Sequence, residues 1–409
     1  MPDHEPAARI KTVPAPQERR PSLRRDASLP ALLAGLVCIA VSYSGPLVVV
    51  LAAATAGRLD QAHTASWIWA VSIGTGLTCL LLSWWTRTPV ITAWSTPGAA
   101  LLVGSLGAYP YPKAVGAFLL SSAAVAVLGA TGLFGRLIRA IPSGIVNAML
   151  AGILFTFGAG IFAELHSAPV LVLGTFAVFL FAKRLVPRYA VPLALLAGAG
   201  LAAATIGLPL HLGGGGVTRP VLTVPAFSWS AVMGLALPLT IVALASQNAP
   251  GLAIIRSFGY EPDDRLLVGA TGGLSVLLAP YGSPGVNLAA ITAAICTSEQ
   301  SHPDPHRRYV AGMATGVLYL VVGIFSGVLV SLFTGLPNEL ITVIAGVALL
   351  PSFQSSLANA VADERHREGA VITFLATASG MTLFSIGAPF WGLLLGVATH
   401  SALTRRRAA

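Results

Sequence analysis

Charge is scarce in this chain. Of its 409 residues only 10% are Asp, Glu, Lys or Arg, while 55% are hydrophobic. A soluble domain carries about 25% charged residues, so the bulk of this sequence cannot present an ordinary water-facing exterior. Cysteine is sparse too. Cys38, Cys79 and Cys296 are odd in number, sit in apolar context and form no C-x-x-C pair. They read as small buried residues, with no disulfide and no metal. There is no G-x-S-x-G and no paired set of catalytic groups. The glycine run at 213–216 is a flexible connector, since no Lys-Ser/Thr follows to make a phosphate loop. HPDPHRR at 302–308 spaces His and Asp as a metal site would, but its prolines and arginines make it a solvated loop. EPDDR at 261–265 reads as a turn. Nothing in these motifs calls for an enzyme or a cofactor.

What is abundant is long apolar runs. They recur from Ser28 almost to the C-terminus, each near the ~20 residues that a membrane-spanning helix needs. They predict an all-α integral membrane protein with fourteen transmembrane segments between residues 29 and 404. Residues 1–27, rich in Pro and Arg, predict a disordered tail and not a cleaved signal peptide. Residues 405–409 form a second basic tail. The net charge of +9 could suggest nucleic acid, but its distribution excludes that. With the N-terminus inside, all of the 24 Lys and Arg except Arg58, Lys113 and Arg219 fall on the cytoplasmic side. This is the positive-inside pattern, and it predicts an even number of crossings with both termini cytoplasmic.

One stretch sits oddly in such a chain: AWSTPGAALL, residues 93–102, puts Thr-Pro-Gly inside segment 3 (89–107). A second copy, YGSPGVNLAA, occupies 281–290 in segment 10 (280–298). Further pairs follow in the same order. SYSGP around Pro46 matches SQNAPG around Pro250, and AIPSGIVNAMLAG from Ala140 resembles GLPNELITVIAG from Gly335. A duplicated unit of seven segments enters the membrane from opposite sides in its two copies, which is the inverted repeat common in secondary transporters. Matching interrupted segments in the two halves point to the substrate site.

The run TPVITAW before the first break is extended in character. A hydroxyl at the cap and Pro in the first turn then start a helix. Ser95 or Thr96 is therefore expected to open a half-helix at Pro97, with Gly98 in its first turn, and Ser283 another at Pro284, beside Gly285. Two such amino ends meeting at the midplane would attract an anion. No Lys or Arg lies near the centre of any segment. Aromatic residues flank the breaks: Trp94 before the first, Tyr281 before the second, and Tyr43 ahead of Pro46. Mid-segment polar residues cluster nearby, namely Ser44, Gln247, Asn248 and Asn287. Buried amides in lipid face the bundle interior, as interhelical contacts or as ligand contacts. A carboxylate at the helix ends with a ring against the aromatics is the ligand shape that this set predicts.

The motifs SQNAPG, YGSPGVNLAAITAAICTSEQSHPDPHRRY and ITFLATASGMTLFSIGAPFWGLLLG resemble the benzoate:proton symporter family, as does AWSTPGAALL. The resemblance runs from about Ser28 to Ala402. It implies a seven-plus-seven fold like that of uracil and anion transporters, in a bacterial inner membrane. A core would hold residues 28–134 and 228–334 and a gate residues 135–227 and 335–404, often pairing as a homodimer through the gate. The partners it implies are a small aromatic carboxylate, benzoate or a close analogue, and a proton. Nucleobase relatives carry acids on segments 8 and 10. Here Gln247, Asn248 and Ser283 stand there, which suits a substrate that brings its own carboxylate. Glu164, Glu299 and Glu339 lie near segment ends, so no proton carrier stands out. The rival expectations are a carrier of the same fold for a nucleobase or another anion, a passive anion channel and, least supported, a membrane enzyme.

Overall fold

The computed structural model describes residues 23–136, 142–205 and 216–406. The expected tail up to residue 22, Arg139, most of the glycine connector and residues 407–409 lie outside them. The described chain is helical almost throughout. Its first half holds α1 (Leu23–Asp26), α2 (Leu29–Ser44), α3 (Pro46–Ala56), α4 (Gln61–Thr86), strand β1 (Thr92–Trp94), α5 (Thr96–Ser105), α6 (Tyr111–Thr131), α7 (Ser143–Ala163), α8 (Pro169–Leu185) and α9 (Ala190–Thr205). The second holds α10 (Trp229–Ser257), α11 (Asp264–Leu278), β2 (Val286–Leu288), α12 (Ile291–Thr297), α13 (Tyr309–Ile324), α14 (Ser326–Thr334), α15 (Asn338–Ala362) and α16 (Arg367–Ala378). A two-residue hairpin, β3 (Thr382–Leu383) and β4 (Ile386–Gly387), leads into α17 (Ala388–Arg406). Among the described residues six helices are long and apolar enough to cross a membrane, counting α2 with α3 as one, and α13 with α14 adds a seventh bent by 67°.

Helix starts follow local chemistry. Ser28 caps α2, Asp60 caps α4 by accepting from the His63 amide at 2.8 Å, and Asp263 caps α11 through the Arg265 and Leu266 amides. Interruptions follow proline. Pro46 breaks the first span after Gly45. In α10 a wide π-turn, Val232–Ala236, precedes Pro238, and another, Ala243–Asn248, precedes Pro250. Proline offers no N–H and crowds the carbonyl one turn back, so the turn before it opens.

Helices pack in two sets. α4 lies along α13 and α6 along α11, while α7 lies along α15 and α16, and α8 along α9. Small residues allow close approach. A Cβ at Gly316 would meet the Leu80 amide at 2.7 Å, and one at Gly129 the Gly269 amide at 2.6 Å.

Two expectations need correction. Residues 23–26 of the N-terminal tail form a helical turn, because Asp26 accepts from the Tyr309 hydroxyl at 2.8 Å and lies 3.7 Å from Arg307. The 302–308 loop is not simply solvated. Arg308 is buried in it, donating to the carbonyls of Thr297, His302 and Pro303, so the loop folds around its own cation.

The extended stretches lie deep in the bundle. β1 and β2 pair antiparallel, with Thr92 opposite Leu288, Ala93 opposite Asn287 and Trp94 opposite Val286. Lipid supplies no hydrogen bonds to irregular backbone, so each free group needs a partner within the protein. Ser83 of α4 serves Val90 twice, accepting from its amide at 3.0 Å and donating to its carbonyl at 3.1 Å. Ser275 of α11 accepts from the Val286 amide at 2.8 Å. Thr92 is held by Thr78 and by the carbonyl of Thr75. Replacing Ser83 by Ala strands the Val90 carbonyl, while the Val90 amide keeps the Thr88 carbonyl at 2.8 Å, at a cost of about 1–3 kcal/mol for a buried unpaired group. A fall of several degrees in the thermal midpoint of detergent-purified Ser83→Ala is expected; an unchanged midpoint would contradict this role.

Candidate functional site

The two crossings are built alike. Each opens on a left-handed residue, Arg87 (φ 55°) or Gly282 (φ 101°). A hydroxyl residue and proline follow, Thr88-Pro89 or Ser283-Pro284. Then comes the strand, then a helix. The parts stand at one common offset: Arg87 with Gly282, Pro89 with Pro284, Thr96 with Ile291. This corrects the sequence alignment, which set Pro97 against Pro284.

The first half-helix is as expected. Ser95 caps α5, its Oγ accepting from the Gly98 amide at 2.9 Å, with Pro97 in the first turn. A Cβ at Gly98 would press on Ser95 at 3.0 Å, so glycine lets the cap close. The second half-helix is not where it was expected. Pro284 opens no helix; Gly285, at φ 133°, turns the chain into β2, and α12 begins only at Ile291 with no side-chain cap. Ser283 is fully buried and its hydroxyl accepts from the Gly285 amide, so it closes a turn and not a helix end.

The aromatic residues divide. Trp94 meets Tyr43 edge to face, with centroids 5.2 Å apart, and a third ring completes the group: Tyr319 of α13, 5.6 Å from Tyr43 and 6.0 Å from Trp94. All three are buried. Tyr43 is anchored by Ser72 at 2.6 Å. Trp94 Nε1 and the Tyr319 hydroxyl, which faces Ser42, make no well-formed hydrogen bond among the described residues. One buried donor, Trp94 Nε1, thus stands unused beside the strand that leads into the α5 amino end, with the Tyr319 hydroxyl next to Ser42. Tyr281 does not join them. It packs on Trp69, and its carbonyl accepts from Ser66 near the start of α4.

The polar residues divide as well. Asn248 is a latch: its Oδ1 accepts from the Leu288 amide at 3.0 Å, and its Nδ2 donates to Asn287 Oδ1 at 3.2 Å and to the Ala243 carbonyl. Asn287 is thereby committed to holding β2. Gln247, beside it on the π-turn, is half-buried and shows no hydrogen bond among the described residues, leaving its amide free for a ligand. Ser44 donates back to Val41 and Thr96 opens α5 half-buried. Sequence reasoning missed Tyr319 and Ser72. The available signal was a hydroxyl in the middle of an otherwise apolar span.

A mostly helical bundle with paired interrupted segments at its centre defines the class: a membrane transporter fold. In solved structures, SLC26A9 matches at a TM-score of 0.63 and 14% identity, covering 94% of this chain and 67% of that one. The transmembrane domain of a cyanobacterial bicarbonate transporter, BicA, matches at 0.58 and 14%, covering 91% and 96%. These likenesses concern the fold alone. The family model for the benzoate membrane transport protein matches residues 25–402. The benzoate membrane transport protein of Acinetobacter baylyi is 37% identical over 391 residues, 95% of this chain and 98% of that protein. Inner membrane protein YdcO of Escherichia coli is 40% identical over 376 residues, 90% and 94%. The chain belongs to the benzoate membrane transport family, and it is a membrane transport protein, not an enzyme.

Asn248→Ala removes the acceptor for Leu288 and should destabilise the protein by about 1–3 kcal/mol. Asn287→Ala removes only the Asn248 Nδ2 partner, leaves the Leu288 acceptor in place and should be milder. Thermal unfolding of both in detergent checks the order; equal loss would mean the Leu288 contact is not what matters.

Proposed function

We propose that this protein carries an aromatic carboxylate, benzoate or a close analogue, across the cell membrane together with a proton. The observation that carries the reading is the ring of Tyr43, Trp94 and Tyr319, with the unused Trp94 Nε1 donor, beside the amino end of α5. An aromatic guest gains edge and face contacts there. Its carboxylate is drawn to the helix amino end without a full countercharge. Gln247 offers a further donor from the neighbouring π-turn. Family membership supports the substrate class.

The proton needs a carrier. Every described Asp and Glu lies at a helix end or in a loop. We assign the proton to the bound carboxylate itself, whose neutral form leaves the helix end with no ion pair to break. In this reading fourteen segments form two inverted repeats, and a helical element in each segment supports it. The two packing sets, α2–α6 with α10–α14 and α7–α9 with α15–α17, are the core and the gate that move past each other. Both termini lie on the cytoplasmic side of the bacterial inner membrane, and the gate forms the dimer contact.

A second reading, transport of a different anion, draws on the anion-carrier fold neighbours. The aromatic ring favours benzoate over a small inorganic anion. Uptake of labelled benzoate into proteoliposomes decides between them. Accumulation should require an inward proton gradient and resist excess bicarbonate; gradient-independent uptake, or none, would refute the proposal. Trp94→Phe and Tyr319→Phe each remove one donor and should weaken half-saturation about 3- to 10-fold, the worth of one neutral hydrogen bond. Unchanged half-saturation in both would exclude the ring as the site.

A further inference from the structure

A cavity lies on the outer flank where α4 meets α11. It has a volume of about 660 Å³ and is lined by Leu77, Leu81, Trp85, Leu266, Ala270 and Leu274. This is the size of a small-molecule pocket, roughly 300–1,000 Å³. It is open along the side that faces lipid: Leu81 is 55% exposed, Trp85 76% and the adjoining Leu277 68%. None of the Tyr43, Trp94 and Tyr319 ring lines it. Its floor is Thr78, whose hydroxyl lies 2.6 Å from that of Thr92, so the cavity backs directly on β1.

One end is charged. Arg87 lines the cavity in the left-handed position that ends α4. Its guanidinium lies 3.9 Å from the Trp84 ring centre and 4.7 Å from that of Tyr309. It makes no ion pair among the described residues, and its Nη1 is buried with no hydrogen-bond partner. The acid nearest in the chain of contacts, Asp26, is already engaged by Tyr309 and Arg307. Two tryptophans at the charged end mark the level of the lipid headgroups. A desolvated guanidinium donor over an apolar trough open to acyl chains asks for one kind of occupant: an amphiphile with an anionic head and a hydrocarbon tail.

We propose that this cavity seats an anionic phospholipid, its acyl chain between α4 and α11 and its phosphate on Arg87. The seat borders β1 through Thr78, so the lipid props the wall against which the strand pair is built. It is independent of the substrate reading, since the two sites share no lining residue.

Native mass spectrometry of the full-length protein, delipidated and then offered phosphatidylglycerol or phosphatidylcholine with identical chains, tests this. The wild-type protein should retain phosphatidylglycerol preferentially. In Arg87→Asn, a residue that tolerates the left-handed backbone, that excess should fall about tenfold, the worth of one charge-assisted hydrogen bond. Leu274→Trp, which fills the trough and leaves Arg87 in place, should lose both lipids from this seat. Equal retention of the two lipids by the wild-type protein would overturn the proposal, as would an excess unchanged in either variant. Displacement of the lipid by inorganic phosphate would assign the site to a free anion, and displacement by benzoate to the substrate; either also overturns it.

Discussion

Everything at the centre of this protein follows from one constraint: a main-chain amide or carbonyl inside a bilayer must find its partner within the protein. Two segments here abandon the helix midway, and groups freed along the strands are met by other parts of the chain. The strands meet each other. Ser83 and Ser275 reach in from the flanking helices to the strand approaches, and Asn248 reaches across to the Leu288 amide. The polar residues that look misplaced in apolar spans are the ones that make this crossing affordable in lipid. Their hydroxyls cost little volume, which lets α4 and α11 lie close against the strands.

The crossing in turn creates the site. Stopping a helix and restarting it turns an amino end inward, where a continuous helix would have shown only side chains. Ser95 satisfies one of the first free amides of α5, and the rest of that end faces the region of Trp94. The strand also fixes Trp94 against Tyr43, which the break at Gly45-Pro46 places at the end of its own helix. Tyr319 arrives from α13, held along α4 by the close contact of Gly316. Two separate interruptions and one tight helix crossing thus converge on one group of rings.

Much of this was legible in the sequence and some was not, for reasons particular to each residue. The cap at Ser95 could be read because Ser-Thr-Pro-Gly carries every local signal of a helix start. The same signals misled at Ser283, where Ser-Pro-Gly closes a turn ahead of a strand; the true start at Ile291 has no cap to announce it. The better guide was the order of parts, left-handed residue, proline, strand, helix, which places Pro89 and not Pro97 opposite Pro284. Asn248 and Gln247 were recognisable as out of place, but which latches and which stays free depends on a strand forty residues away. Tyr319 could not be told from a core aromatic, since only its neighbours across the bundle give it a role. Arg308 looked solvated because the carbonyls that bury it exist only once its own loop has folded.

The most direct test is a structure determined with benzoate bound. The account predicts the ring of the ligand within about 4 Å of the Tyr43, Trp94 and Tyr319 side chains, the distance of apolar contact, with its carboxylate turned toward the first turn of α5. Density for benzoate away from these rings, or with its carboxylate pointing away from the Ser95 end of that helix, would contradict it.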